Sequence, residues 1–593
     1  MPKIEVNEEH FARLANLDMA KLSREAFEEI LSCAKAELDE DSDKSLPLAE
    51  RILKIELNDT NRPDLWGTAG CARQIRIYQG GEIPQYKFFA TGDTVPMQPA
   101  HKVIVEKTVS KVRPFLSGFI ARGKKIGGIS DSMLKDMIQT QEKLAWNFGR
   151  KRRTISMGLY RIERIKWPIH YKGVDPDSVS FVPLNSAAYE SDKELTLRQI
   201  LKEHPKGREY AFIQEHEALH PLLVDATGGI LSYPPIINSN DIGAVLVGDT
   251  DLFVELTGTD LNSVTLAASI VACDLSDNGF EIEPIEVEYE GEGSKISPFY
   301  FQQPVFCSLE RIEKYLGKAI SQEDCVKALR KMGVESEAVS GFERELMQSR
   351  KGAESLGVKA YPPPYRNDYL HAADVMEDVM IGCGLSSFAP ERPRDFTVGR
   401  LSEITLYNRK VKQIMTGFGY QEMIYNYLGS KADFIDKMNT VNTDIIRIAN
   451  PMSENYEYVR NSILPNLLAS EALSGSAAYP HRIFETGKAA RQDKNSADTT
   501  GTVTQNLLGF ISAAEEVNFN TISAEIQTLC YYLSVEYTVE ESQDKRFIPG
   551  RAANIMVDGA CIGVYGEIHP EILSKWNITK PVAAAEIILD TLV

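Results

Sequence analysis

The chain reads as an α+β multidomain protein, and three observations predict this. Its 593 residues, at roughly 150 per domain, suggest about four domains. Stretches with apolar residues three and four apart, the helical period, alternate along the chain with short β-branched runs. Glycine- and proline-rich segments punctuate it, "EYEGEGSKISP" near 290 and "FAPERPRDFTVG" at 388–399. The expected divisions are 1–90, 91–295, 300–390 and 391–593.

The first division opens with two helical patterns, "EHFARLANL" and "SREAFEEILSCAKAEL". "KIEL" then reads as a strand, "NDTNRPD" as a turn and "GTAGCARQIRIY" as a helix. The second mixes strands and helices, its strands including "KVIVEKTVS", "PLLVDATGGILSYPPII" and "DLFVELTG". "PLLVDATGGILSY" predicts a hairpin turning at Thr227-Gly228-Gly229. The third starts as a helical module, "CSLERIEKYLG" and "SQEDCVKALRKMG", each helix ending at a glycine as a C-cap does. The last runs to the C-terminus.

Composition narrows the function. A net charge of −19 argues against a generally basic nucleic-acid binder, so any RNA contact needs a local basic patch or a partner. Eight scattered cysteines form no CxxC, so neither a zinc ribbon nor a disulfide framework is indicated. The N-terminal "MPKIEVNEEHF" carries no apolar signal core, and no apolar run approaches the ~18 residues of a membrane span. A soluble, cytoplasmic protein with no membrane association is expected.

Four stretches could carry chemistry. In "PPPYRNDYLHAADVMEDVM" (362–380), Asp374, Glu377 and Asp378 fall at i, i+3 and i+4 of a helix beginning near Leu370, and Asp368 precedes it. Two readings fit. Acids favour a helix N-terminus through its dipole; alternatively, four converging carboxylates hold a hard cation, Mg²⁺ first among them. "HEALH" (216–220) satisfies the zinc-protease pattern H-E-x-x-H, but Pro221 disfavours helical geometry at His220 and no third ligand follows. "GRKRRTISMGLYRIERIK" (149–166) sets seven basic residues against one acid, either an RNA-facing patch or a solvated face. In "DLFVELTGTD" (251–260), Leu252, Val254 and Leu256 face one way and Phe253, Glu255 and Thr257 the other. The second set lines a small pocket or forms the wet face of a sheet. Neither a GxxxxGK[ST] phosphate loop nor a GxSxG elbow occurs.

Read together, several stretches resemble one family, the β subunits of phenylalanine–tRNA ligase, in the archaeal and eukaryotic cytosolic form. They are "ELNDTNRPDLWGTAGCARQIR", "LLVDATGGILSYPPIINS" with "VELTGTD", "YPPPYRNDYLHAADVMEDVMIGCG", "LYNRKVKQIMTGFGYQEMIYN" and "RNSILPNLL…HRIFETGKAAR", in that order. The resemblance implies an N-terminal module, a mixed α/β editing domain, a helical metal-binding module and a C-terminal class II synthetase-like antiparallel sheet with helices. It implies structural Mg²⁺ on Asp368, Asp374, Glu377 and Asp378. It implies an editing pocket for tyrosine lined by Leu223, Ser232, Asn238, Glu255 and Thr257. Glu255 stands where archaeal members carry an aspartate, so the pocket floor differs by one methylene.

An active class II site also needs a motif-three arginine to hold ATP phosphate. Here "GVYGEIHPEILSKWNITKPVAAAEIILDTLV" supplies no arginine, so the triphosphate lacks a main electrostatic partner. The last division is therefore expected to be an inactive copy. The resemblance then implies that ATP-dependent aminoacylation belongs to a catalytic α subunit in an (αβ)₂ heterotetramer that binds tRNA(Phe). A non-editing scaffold subunit is the rival reading.

Overall fold

In a computed structural model the protein is described over residues 2–593, apart from 92–94, 96, 186–189, 341–355, 441–443 and 497. It divides into two compact units, Met1–Glu391 and Arg392–Val593.

The first unit begins with a three-stranded sheet in which Ile52–Leu57 lies between Lys3–Asn7 and Ala36–Glu40. The "AEL" ending the second helical pattern belongs to this sheet, because Lys35 turns left-handed (φ 52°) and stops the helix. Helix Thr68–Tyr78 follows where expected.

A ten-stranded sheet dominates the unit. Its site-bearing strands are β1 (Phe115–Arg122), β2 (Ile155–Arg161), β3 (His220–Val224), β4 (Ile230–Tyr233), β5 (Ile237–Asn238), β6 (Asp251–Gly258) and β7 (Glu281–Tyr289). From one edge the order is β5-β4-β3, then Ile169–Val174, Lys102–Val105, β7, β1, β6 and β2, and the tenth strand, Gly293–Ser297, pairs with β7 off this path. β3 and β4 form the predicted hairpin, with Gly228 at φ 89° and Asp225 accepting from the amides of Thr227 (2.9 Å) and Gly229 (2.8 Å). Helices α1 (Asp131–Lys143) and α2 (Leu261–Asp277) pack on one face, sharing a core with Leu252, Val254 and Leu256. Phe253 belongs to a separate core on the opposite face, with Tyr160 and Leu223. The period-two alternation of β6 thus sorts its side chains as expected, but both faces are buried, so the wet-face alternative is excluded.

The segment expected to be helical is mixed. Helices Leu309–Leu316 and Gln322–Lys331 pack with a three-stranded sheet ordered Val305–Ser308, Gly357–Tyr361, Glu335–Val339. These strands are four or five residues long, too short to show a period. Helix α3 (Ala372–Gly382) closes the module, and its Val375 and Val379 join the core of the N-terminal sheet and of α2.

The second unit holds a seven-stranded sheet ordered Gln421–Glu422, His481–Gln492, Thr502–Ala513, Val582–Ile588, Ala560–Ile568, Phe547–Val557, Thr538–Glu541. Every pair is antiparallel except the first. Helices Glu403–Gly417 and Phe519–Leu533 cover one face around Phe484 and Phe510; helix Leu464–Leu473 covers the other around Ile511 and Val564. An antiparallel sheet with helices is what the resemblance implied for this region.

Candidate functional site

β6 lies between β1 and β2, and its Glu255 pairs in register with a glycine on each side, Gly118 and Gly158. Missing side chains on both flanks open a hole in the sheet surface. A Cβ on Gly158 would sit 2.1 Å from Tyr160 Oη and 2.7 Å from Glu255 Oε2, so only glycine fits there. Tyr160 donates to Glu255 Oε2 at 2.9 Å and lies 2.8 Å from Ser232 Oγ on β4. Glu255 is 2% exposed, and its Oε1 has no hydrogen-bond partner among the described residues. Burial pushes its carboxyl up to about 7, against the opposing pull of Tyr160, Thr257 and Arg113.

Ser232, Asn238 and Glu255 line one cleft of about 380 Å³, with Tyr160, Ser156 and Arg152 beside them. That size suits a small-molecule ligand. The other two predicted lining residues stand behind the wall. Thr257 is fully buried and bonded to Arg113 Nε (3.0 Å) and Ser156 Oγ (3.1 Å). Leu223 is fully buried in the core with Phe253, pairing with Ser232 across the hairpin. Leu223 and Thr257 are therefore corrected from lining to supporting positions. Alternation does not separate them, since Thr257 shares the face of Glu255 and Leu223 that of Ser232; what removes them from the cleft is the packing over them, Arg113 and Ser156 on Thr257 and the Phe253 core on Leu223.

Sequence reading missed Tyr160 and Gly158 and placed Arg152 only in a basic run, not at this cleft. All three lie in the basic run, where "SMGLY" alternates as a strand does; the flanking charges masked that period. The run itself splits. Arg152 donates to the carbonyls of Pro235 (3.1 Å) and Ile236 (3.0 Å) in the cleft wall, whereas Arg150 and Lys151 point to another cleft.

"HEALH" makes no zinc site. His216 is exposed in a turn, and His220 opens β3 with its Nδ1 2.6 Å from Tyr233 Oη. The two imidazoles do not share a helix face.

The four acids at α3 do not converge, which corrects the geometry expected of them. Arg366, fully buried, reaches Asp378 through Nη1 (2.5 Å) and binds Asp368 through Nε (2.9 Å) and Nη2. Tyr369 donates to the same Asp378 oxygen at 2.5 Å. Asp374 turns back to cap its helix, accepting from the amides of Leu370 and His371 at 2.8 Å each. Glu377 pairs with Lys35 at 3.1 Å. Burial drives the Asp368 carboxyl upward, but Arg366 and Arg62 outweigh it and hold it well below the usual range. The positive partner is thus the chain's own, and these residues as placed do not fit a shared magnesium ion. No group of three or more His, Cys, Asp or Glu among the described residues is placed to hold a metal.

In the second unit two arginines beside the sheet are held by acids. Arg460, fully buried, forms a two-pronged pair with Glu485 (2.7 and 2.9 Å), and Arg546 reaches Glu586 at 2.9 Å and Asp544 at 2.7 Å. No arginine follows on the Val582–Ile588 strand.

Family comparisons agree with this architecture. Residues 305–385 match the tRNA synthetase B5 domain, and residues 391–589 match the phenylalanyl tRNA synthetase beta chain CLM domain. The class is therefore an aminoacyl-tRNA synthetase chain. The chain is 43% identical to the phenylalanine–tRNA ligase beta subunit of Borrelia hermsii, over 100% of this chain and 99% of that one. It is 45% identical to the subunit of Treponema pallidum, over 91% and 86%. An N-terminal fragment of the phenylalanyl-tRNA synthetase beta subunit from Pyrococcus horikoshii superposes with a TM-score of 0.55 at 31% identity, covering 65% of this chain and all of that one. The chain belongs to the phenylalanine–tRNA ligase β-subunit family, whose aminoacylation site lies in the α chain. The expected archaeal or eukaryotic cytosolic type is not supported, since these full-length relatives are bacterial. No helix among the described residues is long and apolar enough to cross a membrane.

Proposed function

We propose that the cleft over Glu255 edits, hydrolysing tyrosyl-tRNA(Phe) made in error by the partner α subunit. Tyrosine is phenylalanine plus one hydroxyl, and an apolar synthetic pocket rejects such an analogue imperfectly. A second pocket with a buried, unfilled hydrogen-bonding group selects the hydroxyl strongly, because phenylalanine leaves that group unpaired. Glu255, which lines the cleft and whose Oε1 is buried without a partner among the described residues, carries this reading. It accepts from the tyrosine phenol while Tyr160 holds Oε2. Water then attacks the ester carbonyl; a C–O bond to water forms, the bond to the ribose oxygen breaks, and that oxygen takes the proton.

The assembly is read as an (αβ)₂ heterotetramer in the cytoplasm, acting on tRNA(Phe), with ATP and its magnesium used at the α site. Exposed apolar side chains on the second unit, among them Val398 (90%), Ile424 (86%) and Leu473 (88%), support a large partner surface. The test is deacylation of tyrosyl-tRNA(Phe) by the reconstituted complex. Glu255→Ala is expected to lower kcat/KM roughly 10- to 100-fold, the worth of a hydrogen bond to a charged group. A wild-type complex that leaves tyrosyl-tRNA(Phe) intact makes this chain a non-editing scaffold.

A further inference from the structure

The chain carries a net charge of −19, yet a second cleft beside the first collects unpaired cations. Lys143, Arg150 and Lys151 line it, and among the described residues no acidic side chain pairs with any of them. Lys3 enters the same cleft but is held by Asp39 (2.9 Å) and Glu56 (3.3 Å). Among the described residues Asp260 is the one acid in the lining, and its Oδ1 caps α2 by accepting from Ser263 N at 2.8 Å. Two indoles flank the cations. Trp146 is 45% exposed, with Lys151 Nζ 5.1 Å from its ring centroid; Trp66 is 4% exposed and its N–H has no partner.

One turn joins this cleft to the Glu255 cleft. Arg150, Lys151 and Arg152 all take left-handed φ (49°, 56°, 65°), a sterically unfavourable run for non-glycine residues. Hydrogen bonds hold it: Lys151 N to Trp146 O and Arg152 N to Ala145 O, both 2.8 Å. Arg113, fully buried, adds Nη1 bonds to the carbonyls of Arg152 (3.2 Å) and Arg153 (3.1 Å) and an Nε bond to Thr257, two residues from Glu255. The turn thereby sends Arg150 and Lys151 into one cleft and Arg152 into the other.

We propose that the cationic cleft holds the unpaired 3′ strand of the acylated RNA, with phosphates on Lys143, Arg150 and Lys151 and a base on Trp146. The terminal ester then reaches Glu255 across the 149–153 turn, so this inference rests on the editing reading. A single strand suits the site better than a duplex, because only an unpaired base offers a face to an indole. The cations match phosphates in charge and number rather than any apolar ligand.

The experiment uses the full α/β complex, with two readouts. In steady-state deacylation, Arg150→Ala/Lys151→Ala is expected to raise KM for tyrosyl-tRNA(Phe) on the order of tenfold. The preference for the tRNA over tyrosyl-adenosine, which has no upstream strand, falls by a similar factor. The salt dependence of kcat/KM becomes shallower by about 1.4, from two lost phosphate contacts at ~0.7 each on a single strand. In the second readout, a fluorescent RNA oligonucleotide ending in CCA binds the wild type and loses affinity about tenfold in Trp146→Ala, which lies outside the left-handed turn. Unchanged KM, salt slope and oligonucleotide affinity in both variants overturn the strand site. If the wild type deacylates nothing, the editing reading fails alone; the oligonucleotide then decides, variant-sensitive binding supporting the strand site and variant-insensitive binding overturning it.

Discussion

Tyr160 and Glu255 are diagonal neighbours on adjacent strands, and the tyrosine hydroxyl 2.9 Å from Oε2 occupies the space that a side chain at Gly158 would fill. The pair leaves one carboxylate oxygen engaged and the other open. A phenol inside the protein thus meets Glu255 much as the proposed phenol substrate does from the other side. Tyr160 acts as a positioning residue, fixing the carboxylate without touching the scissile ester.

Tyr160→Phe leaves both Glu255 oxygens unpaired while keeping the ring stack with Phe253 (5.7 Å). Leaving a buried acceptor unsatisfied costs about 1–3 kcal/mol, so the melting temperature falls. The editing reaction should also change in its pH profile, its apparent pKa moving upward, because Tyr160 is among the groups that lower the Glu255 carboxyl. A stability loss with an unmoved profile would reduce Tyr160 to packing.

Glu255 also makes stability depend on pH in a defined direction. Its carboxyl titrates at about 7 in the fold, against 4.5 ordinarily. The folded state therefore binds more protons than the unfolded chain between those values, and stability falls as pH rises through that window. The 2.5-unit difference corresponds to about 3 kcal/mol, fully present below pH 4.5 and lost above 7. Denaturant unfolding of the wild type, compared with Glu255→Gln at both ends of the window, measures it. The Gln variant should lack this decline. Tyrosine discrimination should rise over the same range, as the carboxylate form becomes the acceptor.

Gly158→Ala tests the hole in the sheet. The added methyl must displace Tyr160 Oη or Glu255 Oε2, at 2.1 and 2.7 Å, and overpacking of this kind costs about 1–3 kcal/mol. Deacylation of tyrosyl-tRNA(Phe) should fall with it, while Gly475→Ala in the second unit, where nothing lies within 4 Å, should leave deacylation intact. Equal effects at both positions would show that the cleft does not depend on the Gly158 gap.

Much of this was legible in the sequence because it depends on local period and turn chemistry. The β3–β4 hairpin, the alternation of β6 and the C-capping glycines all follow from rules that act within a few residues. What failed was long-range. Glu255 pairs with glycines 137 and 97 positions away in the chain, and no pattern in "DLFVELTG" announces them. Thr257 and Glu255 share a strand face, yet only the fold decides that one reaches the cleft and the other meets Arg113. At α3, spacing placed Asp374, Glu377 and Asp378 on one side of a helix, but spacing does not say where each cation comes from. Arg366 was visible in "YRNDYL" and still gave no sign that it folds back onto Asp378, twelve residues on.

The Arg366 arrangement yields the sharpest stability prediction. Arg366 neutralises two buried carboxylates, with Arg62 3.9 Å from Asp368 behind it. Removing one partner of a buried ion pair leaves an uncompensated charge, worth about 3–5 kcal/mol. Arg366→Met should therefore unfold the first unit at markedly lower temperature or prevent its folding. The triple variant Arg366→Met/Asp368→Asn/Asp378→Asn, which removes the charges together, should recover much of the loss. Because the guanidinium already occupies the position a cation would take, melting of the wild-type chain should be the same in magnesium and in EDTA. A magnesium-dependent rise in melting temperature that disappears in Asp374→Ala/Glu377→Ala would show the four acids regrouping around a metal. Arg366 would then have to release Asp378 when the ion binds, and Arg366→Met would raise magnesium affinity instead of only lowering stability.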